Sequence, residues 1–203
     1  MALCPMSNPS IPQSITKEEI NKLPQLQFEG KSSVVIDAEH AKVCIKELSE
    51  AKILGFDTET RPSFKKGEHY KTALLQLSTE KKAYLFRLNK IGFSDQLRDL
   101  MADPSIQKVG VAIHDDIKAL QKLNNFEPGG FEELADYAKK AGVKNLGLRS
   151  LAAIFLDGRV SKGAKLTNWE GDVLTQPQIA YAATDAWVGL KIFLKFQSLN
   201  LVK

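Results

Sequence analysis

The sequence predicts one α/β domain, because strand-like apolar segments are interleaved with segments of helical spacing. Two apolar runs, 53–56 and 108–114, are short enough for buried strands, and both lead into acidic residues. Two further strand-like runs, 73–78 and 83–88, are separated by polar residues and predict an antiparallel hairpin. A last segment, 176–197, has the start signal and the length of a long helix.

Composition and charge are those of an ordinary globular protein. With 203 residues, of which 43% are hydrophobic, the chain can build one full hydrophobic core. A net charge of +4 permits a nucleic-acid partner without requiring one. Cys4 and Cys44 have no metal-type spacing and suit a reducing compartment. No apolar run is long enough to cross a bilayer. We therefore expect no membrane partner and an intracellular location, in the cytoplasm or, in a eukaryote, the nucleus.

Residues 1–31 are predicted to form an extended N-terminal arm, and residues 32–203 the folded domain. Four prolines separated by polar residues make the arm's composition unfavourable for a packed core. Within the arm, Thr16 and Glu19 have capping-box spacing, which indicates a short helix over 15–20.

The domain begins with a strand over 33–36, after which Asp37 is the predicted N-cap of a helix. The polar and basic segment 61–71 predicts an exposed loop at the acidic end of the strand 53–60. After the hairpin, Ser94 is the predicted cap of a helix that ends near Pro104.

Three more helices are expected in the C-terminal half. The first two run from about 132 to 141 and from about 148 to 156, the second being ended by Gly158. The third begins at Thr175, which forms a capping box with Gln178.

Asp57 and Glu59 end the strand 53–60 and lie two residues apart, so their carboxylates point to the same face. Two like charges held together repel unless a cation lies between them. Mg²⁺ and Mn²⁺ prefer hard oxygen ligands and fit this need better than zinc does. The alternative for an isolated Asp-x-Glu is a strand end whose acids face water.

Three blocks together resemble the DEDDy exonuclease superfamily, which is named for four acids and a tyrosine, in its ribonuclease D and Werner-type branch. The blocks are 56–60 (FDTET), 108–116 (KVGVAIHDD) and 181–186 (YAATDA). Flanking residues agree, notably 74–77 (LLQL). The resemblance covers 33–196, and three blocks in order are far more specific than any one of them.

The resemblance implies a ribonuclease H-like (DnaQ-like exonuclease) fold, with a mixed five-to-six-stranded sheet flanked by helices. The hairpin is expected antiparallel to the Asp57 strand, and the strand 108–114 is expected beside it. The implied activity is metal-dependent 3'-5' exonucleolysis at the 3' end of DNA or RNA, releasing nucleoside monophosphates. The implied cofactors are two divalent metal ions, Mg²⁺ or Mn²⁺.

The resemblance also implies residue roles, with four acids as metal ligands and one tyrosine beside the attacking water. These residues are Asp57, Glu59, Asp116, Asp185 and Tyr181. Asp116 is selected in the second block because it falls six residues after Gly110. Asp115 is interpreted as a helix N-cap and kept as an alternative ligand.

The chemistry is consistent with these roles. Two metals ~3.5–4 Å apart can generate the attacking hydroxide and stabilise both the pentacovalent charge and the leaving alkoxide. Asp57 could bridge them, Glu59 and Asp185 could complete one shell, and Asp116 could hold the second ion through water. The Tyr181 phenol, with an ordinary pKa of ~10, is a poor base and is assigned to orienting the water. Taken alone, Tyr181 and Asp185 could be a helix-surface pair, and Asp116 a helix cap.

The predicted substrate contacts combine hydroxyl and basic side chains near the blocks. They are Thr58, Thr60, Arg61, Lys162 and Lys165. Lys65, Lys66 and Arg149 are weaker candidates, since any one of the basic residues is equally consistent with a solvated charge. Trp169 is predicted to be core rather than a base-stacking platform.

Two rival functions share parts of this pattern. One is a non-catalytic nucleic-acid or protein-binding module on the same fold, against which the intact acids of all three blocks argue. The other is a haloacid dehalogenase-type phosphatase, which requires Asp-x-Asp-x-Thr after the first strand. Glu59 and Arg61 occupy the places of its second Asp and its Thr, and this excludes the phosphatase.

Overall fold

The computed structural model describes residues 11–65, 67–164 and 166–202. Six strands are found there: β1 Lys31–Val35, β2 Ile53–Thr60, β3 Thr72–Ser78, β4 Lys82–Arg87, β5 Gln107–Gly110 and β6 Phe131–Glu133. The helices are α1 Lys17–Lys22, α2 Ala38–Leu48, α3 Leu88–Ile91, α4 Asp95–Ala102, α5 His114–Gln121, α6 Leu134–Lys140, α7 Leu148–Leu156 and α8 Gln176–Ser198.

The strands form one mixed sheet in the order β1-β4-β3-β2-β5-β6. The β3–β4 hairpin is antiparallel, and β3 is antiparallel to β2. On the other side of β2 lies β5, which is parallel to it. The structure thus confirms the predicted mixed sheet, its hairpin, and the placement of the hairpin and β5 on either side of the Asp57 strand.

Helices cover both faces of the sheet. One face packs against α2, α4 and α5, and the other against α6, α7 and α8. Alternate strand residues point to opposite faces of the sheet. Phe56 and Leu77 pack on the face covered by α2, α4 and α5. Leu74 and Leu85 pack on the other face, near Ala182 of α8. The two carboxylates of β2 are therefore on the α8 face, because Asp57 and Glu59 alternate with Phe56.

Close approach of α8 to β2 depends on small residues on both sides. Ala182, Ala183 and Ala186 of α8 are almost completely buried. Gly55 faces them, and a Cβ at this position would overlap the carbonyl oxygen of Ala186. Because Asp57 and Asp185 are neighbours of these residues in sequence, the same contact sets the distance between their carboxylates.

Gly55→Ala is expected to destabilise the fold by ~1–3 kcal/mol or more, because the added methyl group meets rigid backbone rather than a side chain that can move. Chemical denaturation measures the loss. Gly163→Ala is the matched control, since a Cβ there comes no nearer than 3.4 Å to the Ser161 hydroxyl. Equal stability of the two variants would show that α8 can move away from β2 at little cost.

The strand predicted over 108–114 is wrong at its C-terminal end, since β5 stops at Gly110. A Cβ at 110 would overlap the Phe56 carbonyl oxygen, and Ala112 has a left-handed φ of 63°. The chain therefore turns over 111–113 before α5. The N-cap of α5 is Ile113, so the prediction that Asp115 is the N-cap is also wrong.

Smaller differences occur at other element ends. The α7 helix ends as predicted, but Asp157 rather than Gly158 takes the left-handed conformation, with φ 51°. The strand β6 and the single turn α3 have no sequence counterpart, because three or four residues are too few to establish a period. Capping boxes at Thr16 and at Thr175 are confirmed.

The described part of the N-terminal segment contacts the domain. Leu26 donates its backbone N–H to the Arg159 carbonyl at 2.9 Å, and Phe28 donates to the Thr184 hydroxyl at 3.1 Å. The domain boundary at residue 31 remains a prediction, and Cys4 lies outside the described residues. None of the helices in the described ranges combines the length and the apolar character that a bilayer crossing requires.

Candidate functional site

Three carboxylates converge where β2 meets α8. One oxygen from each of Asp57, Glu59 and Asp185 lies within 4.8 Å of the other two. Strand alternation directs the first two toward α8, and the Gly55–Ala186 contact brings Asp185 to them. Hard carboxylate oxygens at this spacing are the donor set that Mg²⁺ and Mn²⁺ prefer.

The electrostatics of the cluster favour a cation. Burial raises the pKa of the Asp57 carboxyl well above its usual range, and the nearby Asp185 and Glu59 carboxylates raise it further. The protonated form of Asp57 is therefore favoured over the charged form unless a positive charge offsets the repulsion. A divalent ion would remove this repulsion and let all three groups ionise.

The cluster forms one wall of a cleft of about 620 Å³, a volume within the range of ligand pockets. The other walls come from the turn after β5, the start of α7 and the loop that follows α7. Their residues are Val111, Ala112, Gly147, Leu148, Arg149, Ser150, Val160, Ser161, Lys162 and Leu166, with Thr58 and Tyr181 beside the acids.

Tyr181 lies one helical turn before Asp185 on α8 and faces the same cleft. Burial raises the pKa of its phenol above the ordinary value, and the carboxylates of Asp185 and Glu59 raise it further. Its ring packs on Trp169, with 6.0 Å between the ring centroids. The phenol therefore keeps its proton at neutral pH and can donate a hydrogen bond into the cleft.

Asp116 lies beside the cluster rather than within it. It is in the first turn of α5, and its Oδ1 accepts a hydrogen bond from the Thr58 hydroxyl at 2.5 Å. Burial raises the pKa of the Asp116 carboxyl, although the Thr58 hydrogen bond opposes this. The carboxylate of Asp116 in turn raises the pKa of Asp57, so the two groups interact electrostatically.

Asp115 points into solvent instead. Its side chain is 94% exposed and pairs with Lys118 at 3.2 Å. Since neighbouring residues of a helix point in different directions, only one of the two aspartates can point toward β2, and in this structure it is Asp116, which accepts from Thr58.

The predicted substrate contacts lie in different places. Thr58 and Lys162 line the cleft, with Lys162 exposed at its edge. Thr60 pairs with Thr72 at the end of β2, next to a register shift. Arg61 lies in a neighbouring depression, where it pairs with Glu170 at 3.4 Å and stacks on Tyr70. Lys165 and the weaker candidate Lys66 lie outside the described residues.

The loop after α7 is tied to the domain by buried and hydrogen-bonded groups. Trp169 is completely buried, which confirms its prediction as core. The Gln178 amide donates to the Thr167 hydroxyl at 3.0 Å and to the Asn168 carbonyl at 3.2 Å. Arg149 donates from Nε to the Val160 carbonyl at 3.1 Å. These bonds hold the segment that carries Lys162 against the open side of the cleft.

Sequence reasoning missed Glu133, whose carboxylate accepts hydrogen bonds from the backbone N–H groups of Ala112, Ile113 and Ala135. In the sequence this residue belongs to a segment predicted as helix. Two of its partners, Ala112 and Ile113, lie some twenty residues earlier, so the local pattern carries no signal for these two contacts.

Comparison with known proteins agrees with the geometry. A family model described as 3'-5' exonuclease matches residues 33–200. The bifunctional 3'-5' exonuclease/ATP-dependent helicase WRN of Mus musculus is 32% identical over 190 residues, which are 89% of this chain and 14% of that protein. A putative 3'-5' exonuclease of Acanthamoeba polyphaga mimivirus is 28% identical over 198 residues, which are 87% of this chain and 49% of that protein. The chain thus spans less than half the length of either relative.

Solved structures share the fold. The EXO domain of Nibbler from Aedes aegypti superposes with a TM-score of 0.77 at 19% identity, over 84% of this chain and 89% of that one. Ribonuclease D of Escherichia coli, an exoribonuclease involved in structured RNA processing, superposes with a TM-score of 0.75 at 20% identity, over 83% of this chain and 45% of that one. These neighbours have the ribonuclease H-like fold that the blocks predicted.

Proposed function

The chain belongs to the 3'-5' exonuclease family, of the DEDDy type, and from that premise we propose that it hydrolyses phosphodiester bonds at the 3' end of nucleic acid and releases nucleoside monophosphates. The observation that carries the proposal is the convergence of Asp57, Glu59 and Asp185 in an open cleft. Carboxylates alone would repel a phosphate, so the cluster needs cations before it can act on one.

Two divalent ions, Mg²⁺ or Mn²⁺, would supply a nucleophile at neutral pH and stabilise the charge of the transition state. Asp57 would be the central ligand, because the carboxylates of Asp185, Glu59 and Asp116 all raise the pKa of its carboxyl group. Glu59 and Asp185 complete one side of the site. Asp116, which accepts a hydrogen bond from Thr58, would help to hold the ions from its position beside the cluster.

Tyr181 positions the attacking water in this proposal. Its phenol lies beside Asp185 and keeps its proton, so it acts as a hydrogen-bond donor and not as a base. Lys162 and Arg149 line the outer part of the cleft and provide positive charge for the phosphates of the strand. Arg149 is already fixed by its hydrogen bond to Val160, so it can bind phosphate at little entropic cost.

The proposal is tested with 5'-labelled DNA and RNA oligonucleotides, single-stranded and as recessed duplexes, in magnesium, manganese or chelator. We expect stepwise shortening from the 3' end in either metal and none in chelator. The same panel identifies the preferred sugar and strand state. Tight binding of the oligonucleotides without cleavage in any metal would instead favour a non-catalytic binding module.

The two neighbouring aspartates are expected to differ strongly in turnover assays. Asp116→Ala removes a carboxylate that faces the acid cluster and should be crippling, on the order of 10²-fold or more, as for other groups that complete a metal site. Asp115→Ala removes only a solvent-exposed ion pair with Lys118 and should be near wild type. The reverse order would show that Asp115 is the functional aspartate.

Substrate binding is expected to weaken with salt, and Lys162→Ala should reduce the slope of log affinity against log salt by about one unit. Lys162 lies at the edge of the cleft, where a phosphate contact would release one counterion. Lys42→Ala on α2 is the matched control, since Lys42 pairs with Glu39 at the surface and does not line the cleft. Identical slopes for both variants and wild type would place the phosphate contacts elsewhere.

A further inference from the structure

Glu133 ends β6 and is 9% exposed. One carboxylate oxygen accepts the N–H groups of Ala112 and Ala135, both at 3.0 Å, and the other accepts the N–H of Ile113 at 2.8 Å. Three charge-assisted hydrogen bonds on one carboxylate are strong and directional. The bond to Ala135 caps α6, but the other two reach across to the turn between β5 and α5.

That turn has an unfavourable backbone conformation. Ala112 has a φ of 63°, which residues with a Cβ rarely adopt. Gly110 leaves no space on the sheet side, because a Cβ there would overlap the Phe56 carbonyl and crowd the Ile113 side chain. Such a conformation persists only where the surroundings hold it. The strained residue Ala112 and the next residue, Ile113, both donate their backbone N–H groups to the Glu133 carboxylate.

The turn determines where Asp116 lies. The helix α5 has no side-chain cap of its own, and its first backbone bond runs from Ile117 N–H to the Ile113 carbonyl at 3.0 Å. Ile113 is therefore both the start of the helix and a partner of Glu133. Asp116 follows within the first turn, and its side chain then meets the Thr58 hydroxyl.

We propose that Glu133 is a positioning residue for Asp116. It holds the 111–113 turn in its left-handed form, and the turn aims the first turn of α5, with Asp116, at the acid cluster. Glu133 is not itself a metal ligand, because both of its oxygens accept backbone N–H groups. The proposal rests on the proposed function, in which Asp116 completes the metal site.

The test compares the wild-type chain with Glu133→Gln, which keeps the shape of the side chain but replaces one acceptor oxygen with an NH₂ group. Three quantities are measured: hydrogen exchange of the Ala112 and Ile113 amides, Mn²⁺ binding by calorimetry, and turnover on a 5'-labelled oligonucleotide. We expect faster exchange at both amides, a ~10- to 100-fold weaker second Mn²⁺ site and a similar loss of kcat with KM unchanged.

Asp37→Ala is the matched control for lost helix capping. Asp37 caps α2 through the His40 N–H at 2.8 Å and does not line the cleft. This variant should lose thermal stability as any N-cap variant does, yet keep wild-type Mn²⁺ affinity and turnover. A general loss of stability would lower the Mn²⁺ affinity and the turnover of both variants alike. A loss of positioning would lower them in Glu133→Gln alone.

Ala112→Gly supplies the rescue. Glycine adopts a positive φ without steric cost, so the double variant Glu133→Gln/Ala112→Gly should recover a large part of the Mn²⁺ affinity and turnover. The double variant can also be measured if Glu133→Gln alone folds poorly.

Wild-type Mn²⁺ affinity in Glu133→Gln, despite faster exchange at the Ala112 and Ile113 amides, would overturn the proposal. Weaker Mn²⁺ binding with unchanged exchange would also overturn it, because Glu133 would then be a ligand. Absence of turnover in the wild type would count against the proposed function alone, since exchange and Mn²⁺ binding still decide the role of Glu133.

Discussion

Asp57→Asn is expected to lower turnover by at least ~10³-fold, about 4 kcal/mol in the activation barrier, while stabilising the metal-free fold. The loss of activity follows because Asp57 belongs to the three-carboxylate cluster and interacts electrostatically with Asp185, Glu59 and Asp116. Asn keeps the size of the side chain but carries no charge to hold a divalent ion. Turnover within tenfold of wild type would remove Asp57 from the metal site.

The gain in stability follows from the raised pKa of Asp57. Since the folded state holds this pKa above its unfolded value, the folded chain binds more protons between the two values. The resulting stabilisation is complete below the unfolded pKa and is lost as the pH rises through the folded pKa. The Asn side chain does not ionise, so the variant does not lose stability in this way as the pH rises. It should therefore unfold at a higher temperature than wild type near neutral pH in chelator. The unfolding temperatures of both proteins are measured from about pH 4 to pH 8. Parallel curves of unfolding temperature against pH would contradict this expectation.

Tyr181→Phe is expected to reduce kcat by ~10²–10³, about 3–4 kcal/mol, the range found when one positioned transition-state donor is removed. The ring and its packing on Trp169 remain, so KM and oligonucleotide binding should hardly change. The acidic limb of the pH-rate profile should persist, because a phenol whose pKa is raised by burial does not ionise in that range.

Tyr137→Phe on α6 is the matched control, since that phenol donates to Glu132 and does not line the cleft. It should leave kcat unchanged. Wild-type kcat in Tyr181→Phe would exclude the phenol from the reaction, whereas loss of the acidic limb would make it a general base.

The sequence predicted those parts of the fold that local signals specify. Asp37, Ser94 and Thr175 cap helices at the predicted positions, because an N-cap needs only a side-chain oxygen and a nearby N–H. The β3–β4 hairpin likewise follows from two apolar runs and a short polar turn. In the site, strand alternation alone places Asp57 and Glu59 on one face. Only the resemblance of the third block identified Asp185 as their partner.

The rest depends on tertiary contacts that no local pattern carries. The turn after β5 forms because Gly110 meets Phe56 of another strand and because Glu133 binds Ala112 and Ile113. Lys108 is a similar case, because a lysine is rarely buried and nothing in the local sequence indicates that this one is. In the structure it is completely buried, and its ammonium group donates to the Asp103 carbonyl at 2.7 Å. Burial lowers the pKa of its ammonium group to about 8.

We expect the cluster of Asp57, Glu59 and Asp185 to bind divalent metal and, with it, to cleave nucleic acid from the 3' end. The test follows the length of a short 5'-labelled single-stranded oligonucleotide while the chelator-treated protein is titrated with Mn²⁺. The Asp185→Asn variant is treated in the same way. We expect a ladder of labelled products that shorten one nucleotide at a time, together with unlabelled nucleoside monophosphates. No cleavage is expected before metal is added, and no ladder is expected from the variant. Full cleavage in chelator, or a labelled mononucleotide as the first product, would contradict it.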